Sequence, residues 1–251
     1  MKLSIITICK NDLLGLKKTV ESVKTQSFKD FEFIIIDGAS TDGTVDYLNE
    51  NIFFISKLVC EKDNGIYNAM NKGISIASGE YCLFLNAGDY LVNTNVLEKV
   101  FSSNLKEDLL YGNMFIETTD GQRRLGKMPK KISFLYMIED TIWHPVSFIK
   151  RSLFERFGKY NENYKMVADY DFFLKIVCVH KVKTRKLNFP ISVFNLNGFS
   201  SRKENKELLK SERTFAQQQY FTLSEIEYAK IKIEKGKKII FRLLRKLTNW
   251  V

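Results

Sequence analysis

The stretch IIIDGASTDGT, residues 34–44, decides how this chain is expected to fold. Three isoleucines lead directly into Asp37, which is the pattern of a strand buried on both faces of a parallel sheet. Gly38 and Gly43 then allow the backbone to approach a ligand closely, among small side chains that form hydrogen bonds. The stretch therefore predicts that Asp37 lies at the carboxyl end of a buried strand, where open α/β sheets bind their ligands.

The segments around this stretch alternate between strand-like and helix-like patterns. Strands are predicted at KLSIITICK, FEFIIID, IFFISKLV and EYCLFL, and an amphipathic helix is predicted at 66–77. Short connections between such elements indicate an α/β fold with a mostly parallel central sheet flanked by helices. We expect Asn11, Asp63 and Asp89, which follow other strands, to lie at the same edge of the sheet as Asp37.

The composition is that of an ordinary globular protein, with 251 residues, 45% of them hydrophobic, and a net charge of +10. The four cysteines stand singly in apolar runs, and neither a signal peptide nor an apolar run of membrane-spanning length is visible. We therefore expect a cytoplasmic protein with reduced cysteines, at most peripheral on a membrane. The basic residues are not interleaved with aromatic residues in a recognisable motif, so we do not expect nucleic acid as a partner.

The polar residues at the strand ends indicate which ligand the edge would bind. The first strand is not followed by G-x-G-x-x-G, and the chain has no P-loop sequence. Carboxylates and amides suit sugar hydroxyls, base N–H groups, or a divalent cation that in turn binds phosphate. This set of residues therefore indicates a nucleotide whose diphosphate is bridged by a metal ion.

Four motifs resemble those of the family 2 glycosyltransferases, which have the GT-A fold, in both order and spacing. The likeness extends over about residues 3–200 and is closest to the bacterial branch that assembles capsule, O-antigen and exopolysaccharide. The motifs are SIITICKND, SVKTQSFKDFEFIIIDGASTDGT, EKDNGIYNAMNKGISIASGEYCLFLNAGDYL and FGKYNENYKMVADYDFFLKI. The resemblance implies a GT-A domain at residues 1–202, with a nucleotide-binding half at 1–100 and an acceptor half at 101–202. A helical basic tail would occupy residues 203–251.

The resemblance also implies an activity. It indicates an inverting transferase that moves a sugar from a nucleotide-sugar, with a UDP-sugar as the expected donor, to a hydroxyl of a glycan acceptor. In this branch the acceptor is usually a sugar on a lipid diphosphate, in surface polysaccharide synthesis. Two rival functions are a nucleotidyltransferase, which would release pyrophosphate, and a catalytically degenerate subunit that binds a nucleotide-sugar without turnover.

The resemblance assigns roles to individual residues. In the sequence NAGD the usual metal-bearing third position is Gly88, so Asp89 is the implied ligand of Mn²⁺ or Mg²⁺. The first carboxylate of ADYD, Asp169, is the implied general base that takes the proton from the acceptor hydroxyl. The implied nucleotide-binding residues are Thr7, Ile8, Lys10, Asn11, Asp37, Asp63 and Asn86.

Further candidates lie in the second half of the chain. Asp169 and Asp171 are two positions apart and would point in different directions from a helix, or they could simply cap and charge its first turn. For Trp143 and His144, contact with a substrate competes with a position in the core. The candidates for acceptor or diphosphate contacts are Trp143, His144, Asp171, Gly198, Ser200 and Arg202.

The tail has the pattern of a basic amphipathic helix. From residue 228 to residue 251 there are eight lysines and arginines against one glutamate. Apolar side chains recur on one face of the predicted helix: Ile233, Ile240, Leu243, Leu244, Leu247, Trp250 and Val251. This pattern indicates attachment to an anionic membrane surface, here the inner face of the cell membrane. The alternative is that the apolar face packs on the catalytic domain or on a second subunit of a homo-oligomer.

Overall fold

The structure is a computed structural model of the chain. It describes residues 1–103, 105–118, 120–196 and 203–248, with side chains described outside 203 and 240–248. The strands are β1 (Leu3–Cys9), β2 (Phe31–Asp37), β3 (Lys57–Cys60), β4 (Tyr81–Phe84), β5 (Tyr90–Leu91), β6 (Leu109–Glu117), β7 (Arg123–Gly126), β8 (Ser147–Lys150) and β9 (Thr184–Asn195).

The helices alternate with these strands in the first half of the chain and dominate its end. They are α1 (Leu13–Lys24), α2 (Thr44–Glu50), α3 (Ile66–Ile76), α4 (Val96–Phe101), α5 (Phe134–Glu139), α6 (Arg151–Phe157), α7 (Ala168–Phe173), α8 (Lys206–Tyr220) and α9 (Leu223–Thr248). A 3₁₀ turn covers His144–Val146, and a π-helical segment, Leu174–Val179, continues α7.

One sheet runs through the molecule in the order β3-β2-β1-β4-β8-β6-β9-β5, with β7 paired to β6. The first four strands are parallel, as predicted for the nucleotide-binding half. Beyond β4 the sheet is mixed, because β8 runs antiparallel to β4 and β6 while β9 runs parallel to β6. The α/β fold class is confirmed, and the parallel strands are confined to one side of the sheet and to the pair β6–β9.

The register of the parallel strands brings their carboxyl ends level. Cys9 of β1 lies opposite Asp37 of β2, and Asp37 lies opposite Cys60 of β3. The loops that begin at Lys10, Gly38 and Glu61 therefore leave the sheet side by side. This is the edge at which the sequence predicted a ligand site.

The third strand is shorter than predicted. The expected strand IFFISKLV is replaced in its first half by turns, since Phe54 N–H donates to Asn51 O and leaves Phe53 fully exposed. Asn51 also ends α2, where its N–H donates to Tyr47 O. The apolar run at residues 52–59 therefore contains the turns that follow α2 and, only from Lys57 onward, a strand.

The isoleucine run of β2 is buried on both faces, as predicted. Ile34 and Ile36 belong to the apolar cluster that α3, α6 and α7 cover. Phe33 and Ile35 belong to the cluster on the opposite face, which α1 and α4 cover. Helices therefore lie against both faces of the sheet.

The helical extension is confirmed and packs back on the domain. Ile226, Ala229 and Ile233 of α9 contact the face of α5 around Ile138, and Lys237 Nζ lies 2.7 Å from Glu139 Oε1. The side chains of the distal apolar positions predicted for the tail lie outside the described set. Among the residues that the structure describes, no helix is both long enough and apolar enough to cross a membrane.

Candidate active site

The loops that follow β1 and β2 are joined by hydrogen bonds. Asn11, whose φ is 51°, donates its N–H to Ser40 Oγ at 2.8 Å and accepts from Thr41 N at 2.8 Å through Oδ1. Asp42 Oδ2 accepts from Leu13 N at 3.0 Å. The two loops therefore form one surface at the strand ends, and Asn11 uses its side-chain oxygen to hold that surface together.

Asp37 shapes this surface from below. Its carboxylate is fully buried, and its two oxygens accept hydrogen bonds from Ser40, at 2.9 Å from N and 2.5 Å from Oγ. Asp37 therefore orders the loop at residues 38–40 from inside the edge of the sheet. Its role in nucleotide binding stays a prediction.

Lys10 and Asp63 close over Gly38. A Cβ added to Gly38 would lie 2.2 Å from Asp63 Oδ2 and 3.2 Å from Lys10 Cδ, so a larger residue here would require the Asp63 side chain to move. Asp63 also accepts from Gly65 N at 3.0 Å through Oδ1. The structure thus brings these predicted nucleotide-binding residues together at the strand ends.

Thr7 and Ile8 lie further inside the sheet than predicted. Thr7 is completely buried, and its hydroxyl donates to Leu85 O at 2.6 Å. Ile8 is half-buried and packs on the apolar cluster next to α3. Thr7 therefore supports the strand end from within, and direct contact with a nucleotide is not available to it in this arrangement.

The NAGD segment forms a tight turn at the end of β4. Asp89 N–H donates to Asn86 O at 3.0 Å, and Gly88 has a φ of 93°, which the third residue of such a turn requires. Thr19 of α1 fixes the turn, since its Oγ1 accepts from Gly88 N at 3.1 Å and donates to Asp89 O at 2.7 Å. The turn is therefore held by the backbone and by α1.

The Asp89 side chain points into the protein. It is 6% exposed, and Asn195 N–H donates to its Oδ1 at 3.3 Å. Burial raises the pKa of Asp89 to about 8, because a carboxylate is poorly solvated there. The sequence placed Asp89 at this edge but gave no sign of how deeply its carboxyl group would be buried.

The turn carries oxygen atoms that could bind a divalent cation. Asn86 Oδ1 is buried and has no hydrogen-bond partner among the described residues, which is rare for a buried acceptor. A Cβ at Gly88 would lie 3.7 Å from Asp12 Oδ2, so the carboxylate that caps α1 also stands beside this turn. Oxygen donors of this kind fit Mg²⁺ or Mn²⁺.

The protein alone offers few ligands for such a cation. Within the described ranges, no three histidine, cysteine, aspartate or glutamate side chains come together as a metal site. Mg²⁺ in particular retains several waters and binds with phosphate oxygens of a substrate. The residues present therefore fit a cation that arrives with a diphosphate.

Asp169 lies on the first turn of α7, and Tyr67 holds it. The Tyr67 hydroxyl donates to Asp169 Oδ1 at 2.7 Å, while the Asp169 side chain remains partly exposed. Tyr67 sits in the first turn of α3, and Asp63 lies in the loop that leads into this helix from the nucleotide edge. The predicted base is thus connected to that edge through α3.

His144 and Trp143 lie in the wall behind this site. His144 is buried, its Nε2 is 2.8 Å from Tyr160 Oη, and its ring packs 4.5 Å from that of Phe84. Burial lowers the pKa of His144 to about 4, so the ring is neutral. Trp143 fills the space over Gly126, where a Cβ would lie 2.8 Å from Trp143 Cη2. Both side chains therefore occupy packed positions, which the sequence had left as the alternative to substrate contact.

Asp171 faces a different neighbourhood from Asp169. Its Oδ1 lies 3.5 Å from Tyr164 Oη, and burial raises the pKa of Asp171 although a hydrogen bond from Tyr220 of α8 opposes the shift. The two carboxylates of ADYD are therefore separated, as their spacing predicted. The predicted contacts Gly198, Ser200 and Arg202 lie outside the residues that the structure describes.

Comparison with known sequences identifies relatives that extend over most of the chain. The model of glycosyl transferase family 2 matches residues 4–159. The PGL/p-HBAD biosynthesis glycosyltransferase of Mycobacterium tuberculosis is 31% identical over 220 residues, which cover 82% of each protein. The UDP-Glc:alpha-D-GlcNAc-diphosphoundecaprenol beta-1,3-glucosyltransferase WfaP of Escherichia coli is 28% identical over 213 residues, again 82% of each protein.

Solved structures share the fold. TarS from S. aureus in complex with UDP-GlcNAc matches 78% of this chain with a TM-score of 0.64 and 19% identity, and the match spans 58% of that structure. The mannosyltransferase PcManGT from Pyrobaculum calidifontis in complex with GDP-Man and Mn²⁺ matches 96% of this chain and 80% of its own, with a TM-score of 0.58 and 13% identity. The likeness confirms the predicted GT-A fold.

Proposed function

The chain belongs to glycosyl transferase family 2, and on that premise we propose that it is an inverting hexosyltransferase with a UDP-sugar as donor. The single observation that carries this proposal is the partly exposed Asp169 carboxylate, which is hydrogen-bonded to Tyr67 at the start of α3, the helix that follows the nucleotide-edge loop of Asp63. A base in that place suits the activation of an acceptor hydroxyl beside a bound donor.

The proposed reaction is one displacement at the anomeric carbon. Asp169 accepts the proton of the acceptor hydroxyl as that oxygen bonds to the anomeric carbon and the bond to the diphosphate oxygen breaks. The nucleoside diphosphate leaves with the bonding electron pair, and the configuration at the anomeric carbon inverts. No enzyme nucleophile is needed, because the acceptor hydroxyl attacks the anomeric carbon directly.

The leaving diphosphate gains negative charge that must be neutralised. The exposed Lys10 lies at the nucleotide edge and is suited to this task. A divalent cation would add Lewis-acid stabilisation of the leaving group when bound. The residues proposed to hold it are Asp89, Asn86 and the neighbouring Asp12.

The comparisons support particular classes of donor and acceptor. The name of WfaP specifies UDP-Glc and a sugar on diphosphoundecaprenol, and TarS was solved with UDP-GlcNAc. We extend these classes to this chain: a UDP-hexose as donor, and a lipid-diphosphate-linked sugar as acceptor, in bacterial surface polysaccharide synthesis. Which hexose and which linkage are made would be decided by side chains that motifs do not fix.

A donor screen tests the proposal. The purified chain would be incubated with a panel of UDP-, GDP- and dTDP-sugars, with Mn²⁺ or with EDTA. We expect thermal stabilisation and slow release of nucleoside diphosphate with one or more UDP-sugars and Mn²⁺. Release of pyrophosphate would contradict the proposal in favour of a nucleotidyltransferase, and stabilisation without turnover in the presence of acceptor lipids would indicate a binding subunit.

The tail is proposed to hold the enzyme at the inner face of the cell membrane. One side of α9 packs on α5, while Tyr228, Ile231 and Ile239 are exposed, at 57%, 47% and 57%. Exposed lysines alternate with these apolar side chains: Lys230, Lys232, Lys235 and Lys238. An apolar strip flanked by lysines suits an anionic lipid surface, where each basic residue contributes about 1 kcal/mol. Residues 203–251 would then attach the domain at 1–202 to the membrane surface.

Vesicle co-sedimentation tests the membrane proposal. Full-length protein should pellet with phosphatidylglycerol-containing vesicles at low salt and stay in solution with phosphatidylcholine vesicles. The triple variant Lys230→Glu, Lys235→Glu, Lys238→Glu should lose this binding. A control with the same charge change on α1 and the loop after it, in which Lys17, Lys24 and Lys29 become Glu, should keep it. Equal binding of both variants would contradict a specific role of the tail, and loss of a dimer in the tail variant would favour contact with a second subunit.

A further inference from the structure

Tyr67 belongs to the motif EKDNGIYNAMNKG, to which the proposed function gives no chemical role. Its hydroxyl donates to Asp169 Oδ1 at 2.7 Å and joins residues 102 positions apart in the chain. Tyr67 is 5% exposed, and burial together with the neighbouring Asp169 raises its pKa well above the usual value. The hydroxyl therefore keeps its proton and acts as a donor throughout the physiological pH range.

The groups around this contact are neutral. The Tyr160 ring lies 5.7 Å from that of Tyr67, and the Tyr160 hydroxyl is 2.8 Å from His144 Nε2. Burial keeps Tyr160 protonated by raising its pKa, and it keeps His144 uncharged. Asp171, on the same helix as Asp169, is directed toward Tyr164 and α8. The Tyr67 hydroxyl is thus the donor that the surrounding elements aim at the Asp169 carboxylate.

We propose that Tyr67 is a positioning residue of the transfer reaction, whose hydroxyl fixes one oxygen of Asp169 and so directs the other toward the acceptor hydroxyl. Tyr67 does not give up its proton in the reaction. It holds the carboxylate in one rotamer, in which the second oxygen can accept the proton of the acceptor hydroxyl. This inference rests on the proposed function, since it requires Asp169 to be the base.

The variant Tyr67→Phe tests the inference, because it removes the hydroxyl and keeps the buried ring. We expect kcat for transfer to fall about 10-fold, as for loss of a hydrogen bond to a charged group, with KM for the donor unchanged. Because Tyr67→Phe keeps the buried ring, a change in stability alone would leave the kcat of the folded enzyme unchanged.

Tyr81→Phe is the matched control. Tyr81 is also fully buried and donates its hydroxyl to Glu107 O at 2.7 Å, but it lies at the opposite end of β4 from the site. Its variant should lose stability to a degree similar to that of Tyr67→Phe and keep kcat. Equal kcat values for the two variants, or an effect of Tyr67→Phe confined to donor KM, would overturn the inference.

A double-mutant cycle shows whether Tyr67 acts through Asp169. In the Asp169→Asn background, Tyr67→Phe should cause no further loss of kcat. Additive losses would overturn the positioning role while leaving the proposed function intact. Full activity of Asp169→Asn would overturn both the base assignment and this inference, whereas absence of any nucleoside diphosphate release by the wild type would reject the proposed function itself.

Discussion

Asp89 and Asp169 are carboxylic acids placed in opposite ways. Asp89 is 6% exposed and receives one long backbone hydrogen bond from Asn195, and its pKa is raised to about 8. Asp169 is partly exposed and receives a 2.7 Å hydrogen bond from the Tyr67 hydroxyl. Burial favours the neutral form of the Asp89 carboxyl group, because a charge is poorly solvated there. Asp169 is therefore placed where an acceptor hydroxyl could reach its carboxylate, whereas Asp89 is not arranged to display a charge.

This difference in burial separates two predicted roles of aspartate: the general base, Asp169, and the metal ligand, Asp89. A base must be ready before the acceptor binds, because its charge is used in the reaction itself. A ligand for a cation can be ionised by the cation as it binds, since a nearby positive charge favours the carboxylate. We thus expect Asp169 to control the chemical step and Asp89 to control the affinity for a divalent cation.

The largest effect is expected at Asp169. Asp169→Asn should lower kcat by about 10²–10⁴-fold, because general base catalysis typically contributes that much. Donor affinity, measured by calorimetry, should be nearly unchanged. Asp171→Asn is the matched control from the same helix, and its kcat should stay within about 10-fold of the wild type. If Asp171→Asn were inactive and Asp169→Asn active, Asp171 and not Asp169 would be the general base.

A loss that added metal can partly reverse is expected at Asp89. Asp89→Ala should reduce turnover at least about 100-fold at a fixed Mn²⁺ concentration, because cation neutralisation of a leaving group supplies several kcal/mol. A Mn²⁺ titration followed by electron paramagnetic resonance in the presence of UDP should show weaker cation binding. Added Mn²⁺ should restore part of the activity of this variant and none of that of Asp169→Asn. Full wild-type activity in EDTA would contradict the role of Asp89.

The third effect concerns the neutral wall behind Asp169. The unfolded chain binds a proton on His144 near pH 6.5, but the folded protein does so only near pH 4, so this residue costs stability as the pH falls between those values. The destabilisation should reach about 2 kcal/mol at pH 5. Urea unfolding at pH 7 and pH 5 should show that the wild type loses this much stability relative to His144→Gln, because the other groups, Asp89 among them, titrate alike in both proteins. The exposed His180→Gln should behave as the wild type, and identical pH dependence in all three would contradict a buried neutral His144.

The first half of the fold could be predicted from the sequence because its elements are local. The apolar run of β2 and the helical spacing of α3 each lie within one segment, and both appear where expected. The mixed half of the sheet could not be predicted, since the pairing of β8 with β4 joins residues far apart in the chain. Local periodicity indicates which face of a strand or helix is apolar, but it does not indicate which distant strand pairs with it.

Motifs located the site residues more reliably than they indicated side-chain direction. The sequence placed Asp37 at a strand end, but only the structure reveals that Ser40 occupies both of its oxygens. Likewise, the position of Asp12 beside Gly88 depends on the packing of α1 against the NAGD turn. Strand ends define an edge, whereas rotamers and hydrogen bonds define what a side chain does there.

The central claim is that Asp169 activates an acceptor for a single displacement, and the anomeric configuration of the product tests it most directly. The wild-type enzyme would be given an α-linked UDP-hexose and a sugar on a lipid diphosphate, and the new glycosidic linkage would be assigned from its proton coupling constant by NMR. We predict a β-linkage together with one UDP released per transfer. An α-linkage would contradict it, because retention requires a different mechanism from the single displacement proposed for Asp169.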